Sequence, residues 1–335
     1  MFTLRFLAYL LPLVLSSCGT LSFYTQAFRG QAEISLTKKR VSQVLQDPTT
    51  SEKLARQLQL SQELVDFAED ELTLDASGSY RHYTDLKRDH VVYIVHASPE
   101  FSLEPKTWWY PVVGAQDYRG FFKKEDAQRT IEKLKTQGLD TYLGGVNAYS
   151  TLGFFNDPLL NTFIHYSEVD LAELIFHELT HHRYYKKNET PFNEALAEVV
   201  AREGTRRWLH KTGNRQALAK YELRLQRRAA IRSTITESIT QLERLYAKEL
   251  PEKQMRELKN QELSALKKKI AALYQGWQQK PTNFLSRPLN NARLNAFTTY
   301  EALVPPLQKL LESYDGDLAT FFHEVKSKGP AILEN

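Results

Sequence analysis

Apolar residues recur at steps of three and four along much of the chain, which predicts several amphipathic helices. Ser51 is a plausible N-cap for the first of these. One side of that helix would hold Leu54, Leu58, Val65, Ala68 and Leu72. The pattern becomes extended between Tyr80 and Val113, and again from Thr141 to Tyr149. A short helix at about Lys124 to Gln137 separates the two extended stretches.

Two further helices are predicted in the middle of the chain. Ser167 and Asp170 form a start like a capping box for a helix that ends at about Tyr185. Thr190 and Pro191 then predict an N-cap and the first residue of the next helix, because proline is tolerated in the first helical turn.

The segment from Thr205 to Lys280 predicts a hairpin of two long helices joined near Pro251. It holds 18 Lys and Arg against 7 Asp and Glu, whereas the whole chain has a formal charge of only +4. A solvated helical hairpin would explain this composition. The alternative is contact with an anionic membrane surface beside a lipid anchor.

These elements predict an α+β fold, in which a small sheet packs against two central helices and the C-terminal half is largely helical. The expected organisation is a signal peptide at 1–17, a tether and lead-in at 18–50, a catalytic part at 51–204, the basic hairpin at 205–280 and a C-terminal helical part at 281–335 that completes the catalytic domain.

The N-terminus is typical of a lipoprotein signal. Arg5 precedes an apolar run too short to span a bilayer, and small residues follow it. The stretch Leu15-Ser16-Ser17-Cys18 resembles a bacterial lipobox, which implies cleavage before Cys18 and its acylation. An ordinary signal peptide with an incidental cysteine is the alternative. Residue 19 is glycine rather than aspartate, and by resemblance to sorted lipoproteins this favours the outer membrane, facing the periplasm.

The stretch Phe176-His177-Glu178-Leu179-Thr180-His181 contains the residues with the clearest chemistry. Residues four apart lie on one helix face, so His177 and His181 can reach the same ion. Glu178 lies beside that ion, where it can take a proton from a water that the metal activates. The pattern therefore predicts one Zn2+ ion, with Glu178 as general base. His182 is interpreted as a surface histidine.

A third metal ligand is available on the next helix. Zinc in a hydrolase takes three protein ligands and keeps one position open. Glu194 lies near the start of that helix, and Glu198 lies one turn further on the same face. We favour Glu194 as the ligand, with Glu198 supporting a histidine or binding a substrate amine. The reverse assignment, or two solvent-exposed glutamates, stays open.

Substrate-binding residues are less clearly marked. Segment 144–153 is strand-like and contains several glycines. Some peptidases hold the substrate as an added strand along such a segment. Ser150 and Thr151 are therefore candidate substrate-binding residues. A plain turn and buried strand is the alternative. Tyr149 and Tyr300 are candidate donors to the oxyanion. The carboxylates available for a substrate α-ammonium are Glu198, Glu203 and Glu104.

Five stretches of the sequence carry a resemblance to a known family. They are SLEPKTWWYPVVGAQDYRGFF, GGVNAYSTLGFFNDPLLNTF, LIFHELTHHRYY, FNEALAEVVAREG and LNNARLNAF. They resemble a family of bacterial predicted aminopeptidases, which are often lipoproteins and are grouped with the glutamate-zincins. This resemblance implies a zincin-like fold, with His177, His181 and Glu194 as zinc ligands and Glu178 as general base. Arg183 departs from the strict peptidase pattern, in which an apolar residue is usual there.

The expected function is a zinc-dependent aminopeptidase that removes N-terminal residues from peptides. A zinc endopeptidase is one alternative. Another is a non-catalytic envelope lipoprotein with a structural metal site, although structural zinc favours cysteine and the single cysteine is Cys18. The modest charge gives no argument for nucleic acid. The expected partners are therefore a peptide substrate and, through Cys18, the membrane.

Overall fold

The structure is a computed structural model that describes residues 30, 33–110, 114–148, 156–281, 284–298 and 303–333. Residues 33–37 are helical, and the helices that follow are α1 (Val41–Gln46), α2 (Glu52–Glu71), α3 (Lys124–Lys135), α4 (Glu168–Arg183), α5 (Thr190–Lys211), α6 (Arg215–Tyr246), α7 (Glu252–Gly276), α8 (Asn291–Thr298), α9 (Val304–Ser313) and α10 (Leu318–Lys328). The strands are β1 (Lys39–Arg40), β2 (His82–Thr84), β3 (Val92–Pro99), β4 (Trp108–Tyr110), β5 (Gly114–Gln116), β6 (Arg119–Phe121), β7 (Leu139–Val146) and β8 (Leu159–Leu160).

Small sheets accompany these helices. Strand β3 is the centre of the longest one: it pairs antiparallel with β7 from Val92↔Val146 to Pro99↔Leu139, and with β6 on its other side. Strand β2 pairs antiparallel with β1 and parallel with β8, while β4 and β5 form a hairpin. The described part of the chain is 60% helical, and this combination confirms the expected α+β class.

Most helix boundaries follow the signals in the sequence. Ser51 caps α2 by accepting the backbone N–H of Leu54 at 3.3 Å. Helix α3 ends at Lys135, and the chain then turns through Gly138, whose φ of 75° suits a residue without Cβ. No helix within the described ranges is long and apolar enough to cross a membrane.

The first helix of the predicted hairpin begins later than expected. Residues 205–211 continue α5, and α6 starts at Arg215. The chain leaves α5 through Gly213, with a φ of 68°, and Asn214 caps α6 by accepting the Ala217 N–H at 3.1 Å. The predicted start at residue 205 was therefore wrong, because the apolar pattern continues across both helices and the turn between them is short.

The basic hairpin α6–α7 forms ion pairs with the rest of the chain. Lys259 of α7 is buried, and its ammonium lies 2.6 Å from the Asp140 carboxylate and 2.8 Å from the Glu100 carbonyl oxygen. Arg256 binds both carboxylate oxygens of Glu100, at 2.5 and 2.8 Å. Acidic residues outside the hairpin therefore balance part of its positive charge.

The largest apolar core contains buried residues of α2, α4 and α5, together with residues of α9 and α10. Gly204 of α5 packs against side chains of α4 and of the residue that follows α2. A Cβ at this position would lie 2.6 Å from Leu72 Cδ1 and 2.8 Å from Phe176 Cδ2. Phe176 is fully buried and directly precedes His177, so the absence of a side chain at Gly204 sets how closely α4 approaches α5.

We predict that Gly204→Ala lowers the free energy of unfolding by about 1–3 kcal/mol, because the added methyl group overpacks a full core. Alanine is the better helix former, so propensity alone would predict the opposite sign. Urea unfolding of the two proteins measures the difference.

The matched control is Gly276→Ala at the end of α7, where an added Cβ would meet nothing within 4 Å. That variant should be as stable as the parent or more so. A Gly204→Ala protein as stable as the parent would show that the contact with Phe176 yields easily.

Candidate metal centre

Helix α4 presents two imidazoles on one face. Ser167 starts the helix by accepting the Asp170 N–H at 3.2 Å, and apolar residues of the next turns are buried. His177 and His181 lie four residues apart, with ring centroids 4.9 Å apart and ring planes at 86°. The side chain of His181 is 6% exposed and that of His177 21% exposed, so the first is buried and the second is partly accessible to solvent.

The turn between α4 and α5 brings a carboxylate to these histidines. Asn193 bridges the turn: its Oδ1 accepts the Lys186 N–H at 3.0 Å, and its amide donates to the Lys186 carbonyl at 2.8 Å. The next residue, Glu194, then lies with one oxygen 3.3 Å from His177 Nε2 and the other 3.5 Å from His181 Nε2. Asn193 thus holds the turn, and Glu194 contacts the two histidines.

His177, His181 and Glu194 form a group that could hold a metal ion. One ligand atom from each lies within 4.8 Å of the others. Two imidazole nitrogens and one carboxylate oxygen are a donor set that zinc accepts in hydrolases. The residues present therefore fit a zinc ion in both their chemistry and their spacing.

The three residues of this group shift one another's pKa values. Burial lowers the pKa of His177, but the hydrogen bond and charge of Glu194 outweigh it and raise that pKa to about 9. Burial and the neighbouring His177 lower the pKa of His181 to about 4. Burial raises the pKa of Glu194, yet the histidines bring it below its usual value. Glu194 is therefore ionised at neutral pH, the form in which a carboxylate binds a metal.

Glu178 is a partly buried residue whose carboxyl group has a raised pKa. Burial raises its pKa to about 7, His177 opposes this shift, and the carboxylates of Glu194 and Asp157 add to it. A carboxylate with a pKa near the working pH can both accept and return a proton. A typical surface glutamate, with its lower pKa, would be a weaker base.

Glu198 makes different contacts from Glu194. Its Oε1 accepts hydrogen bonds from Arg202, with a closest distance of 2.7 Å, and lies 3.9 Å from Arg228. Glu203, another carboxylate considered for the substrate amine, pairs with Arg207 at 2.8 Å. Glu104 is exposed on the loop after β3.

His182 and Asp157 form a buried pair beside the site. His182 Nε2 lies 3.3 Å from Asp157 Oδ2, and the two side chains are 4% and 3% exposed. The interpretation of His182 as a surface residue was therefore wrong. Its partner is 25 residues away in sequence, and no local pattern marks Asp157.

Two tyrosines that the sequence did not single out lie near the carboxylates of the site. Burial and the charges of Glu178 and Asp157 raise the pKa of Tyr80 well above its usual value. Burial and the charge of Glu194 raise the pKa of Tyr185, whose side chain is among the exposed aromatic residues. The remaining sequence candidates lie outside the described residues: Cys18, Tyr149, Ser150, Thr151 and Tyr300.

Two glycines of β7, Gly144 and Gly145, lie under the side chains of neighbouring residues. A Cβ on Gly144 would lie 2.9 Å from the Ile94 side chain, and one on Gly145 would lie 2.7 Å from the His90 ring. A side chain at either position of β7 would therefore collide with a neighbouring residue.

A family of known proteins matches the chain over most of its length. The family model, described as "Putative aminopeptidase", covers residues 22–331. Neither the curated proteins nor the solved structures give a match to this chain. The family match covers most of the chain, which therefore belongs to the putative aminopeptidase family.

Proposed function

We propose that this protein is a zinc-dependent peptidase that acts as an aminopeptidase. The proposal rests on the group formed by His177, His181 and Glu194, whose ligand atoms lie within 4.8 Å, with Glu178 next to the first histidine on α4. A carboxylate flanking such a group is the arrangement that metal-assisted peptide hydrolysis needs. Membership of the family supports the same reaction class.

Zinc, when bound, would polarise the scissile carbonyl and lower the pKa of a water molecule. Glu178 would accept the proton of that water during its attack on the carbonyl, and would then return the proton to the leaving amine. His177, His181 and Glu194 would hold the ion, and Asn193 would keep Glu194 in place through its two hydrogen bonds to Lys186.

The proposal includes a zincin-like arrangement in which the substrate adds to the β7 edge of the sheet. Strand β7 is the outer strand of the order β6-β3-β7. Its carbonyl groups at Thr141 and Leu143 already accept hydrogen bonds from Asn290 and Arg287. Main-chain pairing with a peptide would therefore use the part of the edge that follows Gly144.

Attachment to the outer membrane through acylated Cys18 is the second part of the proposal. It rests on the apolar run after Arg5 and on the Leu15-Ser16-Ser17-Cys18 stretch. The enzyme would then act in the periplasm, on peptides that reach the membrane surface.

We predict that Glu178→Gln lowers kcat/KM by about 10²–10⁴-fold while zinc remains bound, because the amide cannot accept the proton. Release of chromophore from aminoacyl anilides measures turnover, and metal analysis measures zinc. Each anilide is offered with a free and with an acetylated amino terminus.

Glu249→Gln, an exposed glutamate in the α6–α7 turn, is the matched control and should behave as the parent. Cleavage of only the free-amine substrates identifies an aminopeptidase. Full activity in Glu178→Gln would contradict the assignment of Glu178 as general base. Cleavage of the acetylated anilides would indicate an endopeptidase.

We predict that Glu194→Gln loses zinc, whereas Glu198→Gln retains it. Each carboxylate oxygen of Glu194 lies near one of the two histidines. The carboxylate of Glu198 instead pairs with Arg202. Loss of a neighbouring support typically weakens metal binding by about 10–100-fold, and loss of a ligand weakens it more. Titration with a competing zinc chelator measures both variants. The opposite order of affinities would make Glu198 the ligand.

A further inference from the structure

A cluster of arginines lies one helical turn from the candidate zinc ligand Glu194. Glu198 follows Glu194 by one turn of α5, and its carboxylate binds Arg202 of the same helix. Arg228 reaches the same carboxylate from α6, at 3.9 Å. Arg228 also pairs with Glu173 of α4 at 2.9 Å, so the cluster connects all three helices around the site.

Arg228 has hydrogen-bonding capacity left in this cluster. Both of its carboxylate contacts, to Glu173 and to Glu198, use the same nitrogen, Nη1. Its side chain is 43% exposed. A guanidinium group carries five N–H donors and can bind a carboxylate through two of them side by side. The Nε and Nη2 groups of Arg228 can therefore bind a further anion.

The same contacts make Glu198 a poor site for an ammonium group. Burial raises the pKa of Glu198, but Arg202 outweighs this effect and keeps the carboxylate ionised. Its negative charge is balanced by Arg202 and faces Arg228. A cation placed here would meet two guanidinium groups, whereas an anion would be attracted by them. The exposed guanidinium of Arg228, which also contacts Glu173 and Glu198, is therefore the group on this side of the site that would attract a negatively charged ligand.

We propose that Arg228 binds the C-terminal carboxylate of a short peptide whose scissile bond lies at the His177, His181 and Glu194 group. The inference rests on the proposed peptidase function and adds a substrate class to it. With a rise of 1.5 Å per residue, Glu198 lies about 6 Å along α5 from Glu194. An extended peptide covers about 3.3–3.6 Å per residue, so two or three residues beyond the scissile bond span the gap.

Binding is tested without turnover, in the zinc-loaded Glu178→Gln protein. Calorimetry compares the tripeptide Leu-Gly-Gly with its C-terminal amide. We expect the free acid to bind about 10–100-fold more tightly, since a charge-assisted hydrogen-bond pair is lost in the amide. Adding Arg228→Gln should bring the ratio of the two affinities close to one, while Arg228→Lys, which keeps the charge but not the paired donors, should give an intermediate ratio.

The matched control is Arg244→Gln, which removes an exposed arginine further along the same helix and should leave the ratio unchanged. A general loss of stability from breaking the Glu173 contact would weaken both ligands equally and would not alter their ratio. An acidic side chain is the other source of a carboxylate. The amides of Leu-Glu-Gly and Leu-Gln-Gly distinguish it.

Equal affinity for acid and amide would overturn the proposal, as would a preference that persists in Arg228→Gln. Preference for the glutamate over the glutamine peptide, without preference for the free C-terminus, would also overturn it. Turnover of the same peptides by the parent protein is measured in parallel. Selective binding of the acid without any turnover would refute the proposed peptidase function while supporting the carboxylate site.

Discussion

The site depends on one contact, that of the Glu194 carboxylate with the two imidazoles of α4. A carboxylate beside partly buried histidines is stable only if its charge is compensated, and each partner here changes the protonation of the other. The contact requires α4 and α5 to lie close together along their lengths. Asn193 provides this at the turn and Gly204 provides it further along α5. The packing of α4 against α5 therefore also determines the geometry of the site.

The sequence predicted the parts of this arrangement that are encoded locally. The capping of α2 by Ser51 and of α4 by Ser167, and the shared face of His177 and His181, follow from short-range geometry. The pairing of His182 with Asp157 could not be predicted in this way, because the two meet only after the chain between them has folded. The turn at Gly213 was missed because the apolar spacing continues through it.

The charge of the hairpin shows why composition is a weak guide to partners. The segment 205–280, which contains the hairpin, holds 18 basic and 7 acidic residues. Three of its cations form ion pairs with acidic residues outside the hairpin. They are Lys259 with Asp140, Arg256 with Glu100 and Arg228 with Glu173. The chain has divided opposite charges between two segments that pack together. Such complementarity contributes to the register in which the hairpin docks, because these pairs form only in that register.

The parallel pairing of β2 with β8 has a consequence for how the chain folds. Tyr83 lies opposite Leu159, so the whole β6-β3-β7 sheet is an insertion between two neighbouring strands. Contacts such as that of Asn295 with Ser98 join residues 197 positions apart. Closing such long loops costs chain entropy before any contact is gained, and folding slows as the mean sequence separation of contacts rises. The group formed by His177, His181 and Glu194 spans only 17 positions, so bringing these three residues together needs no such long closure.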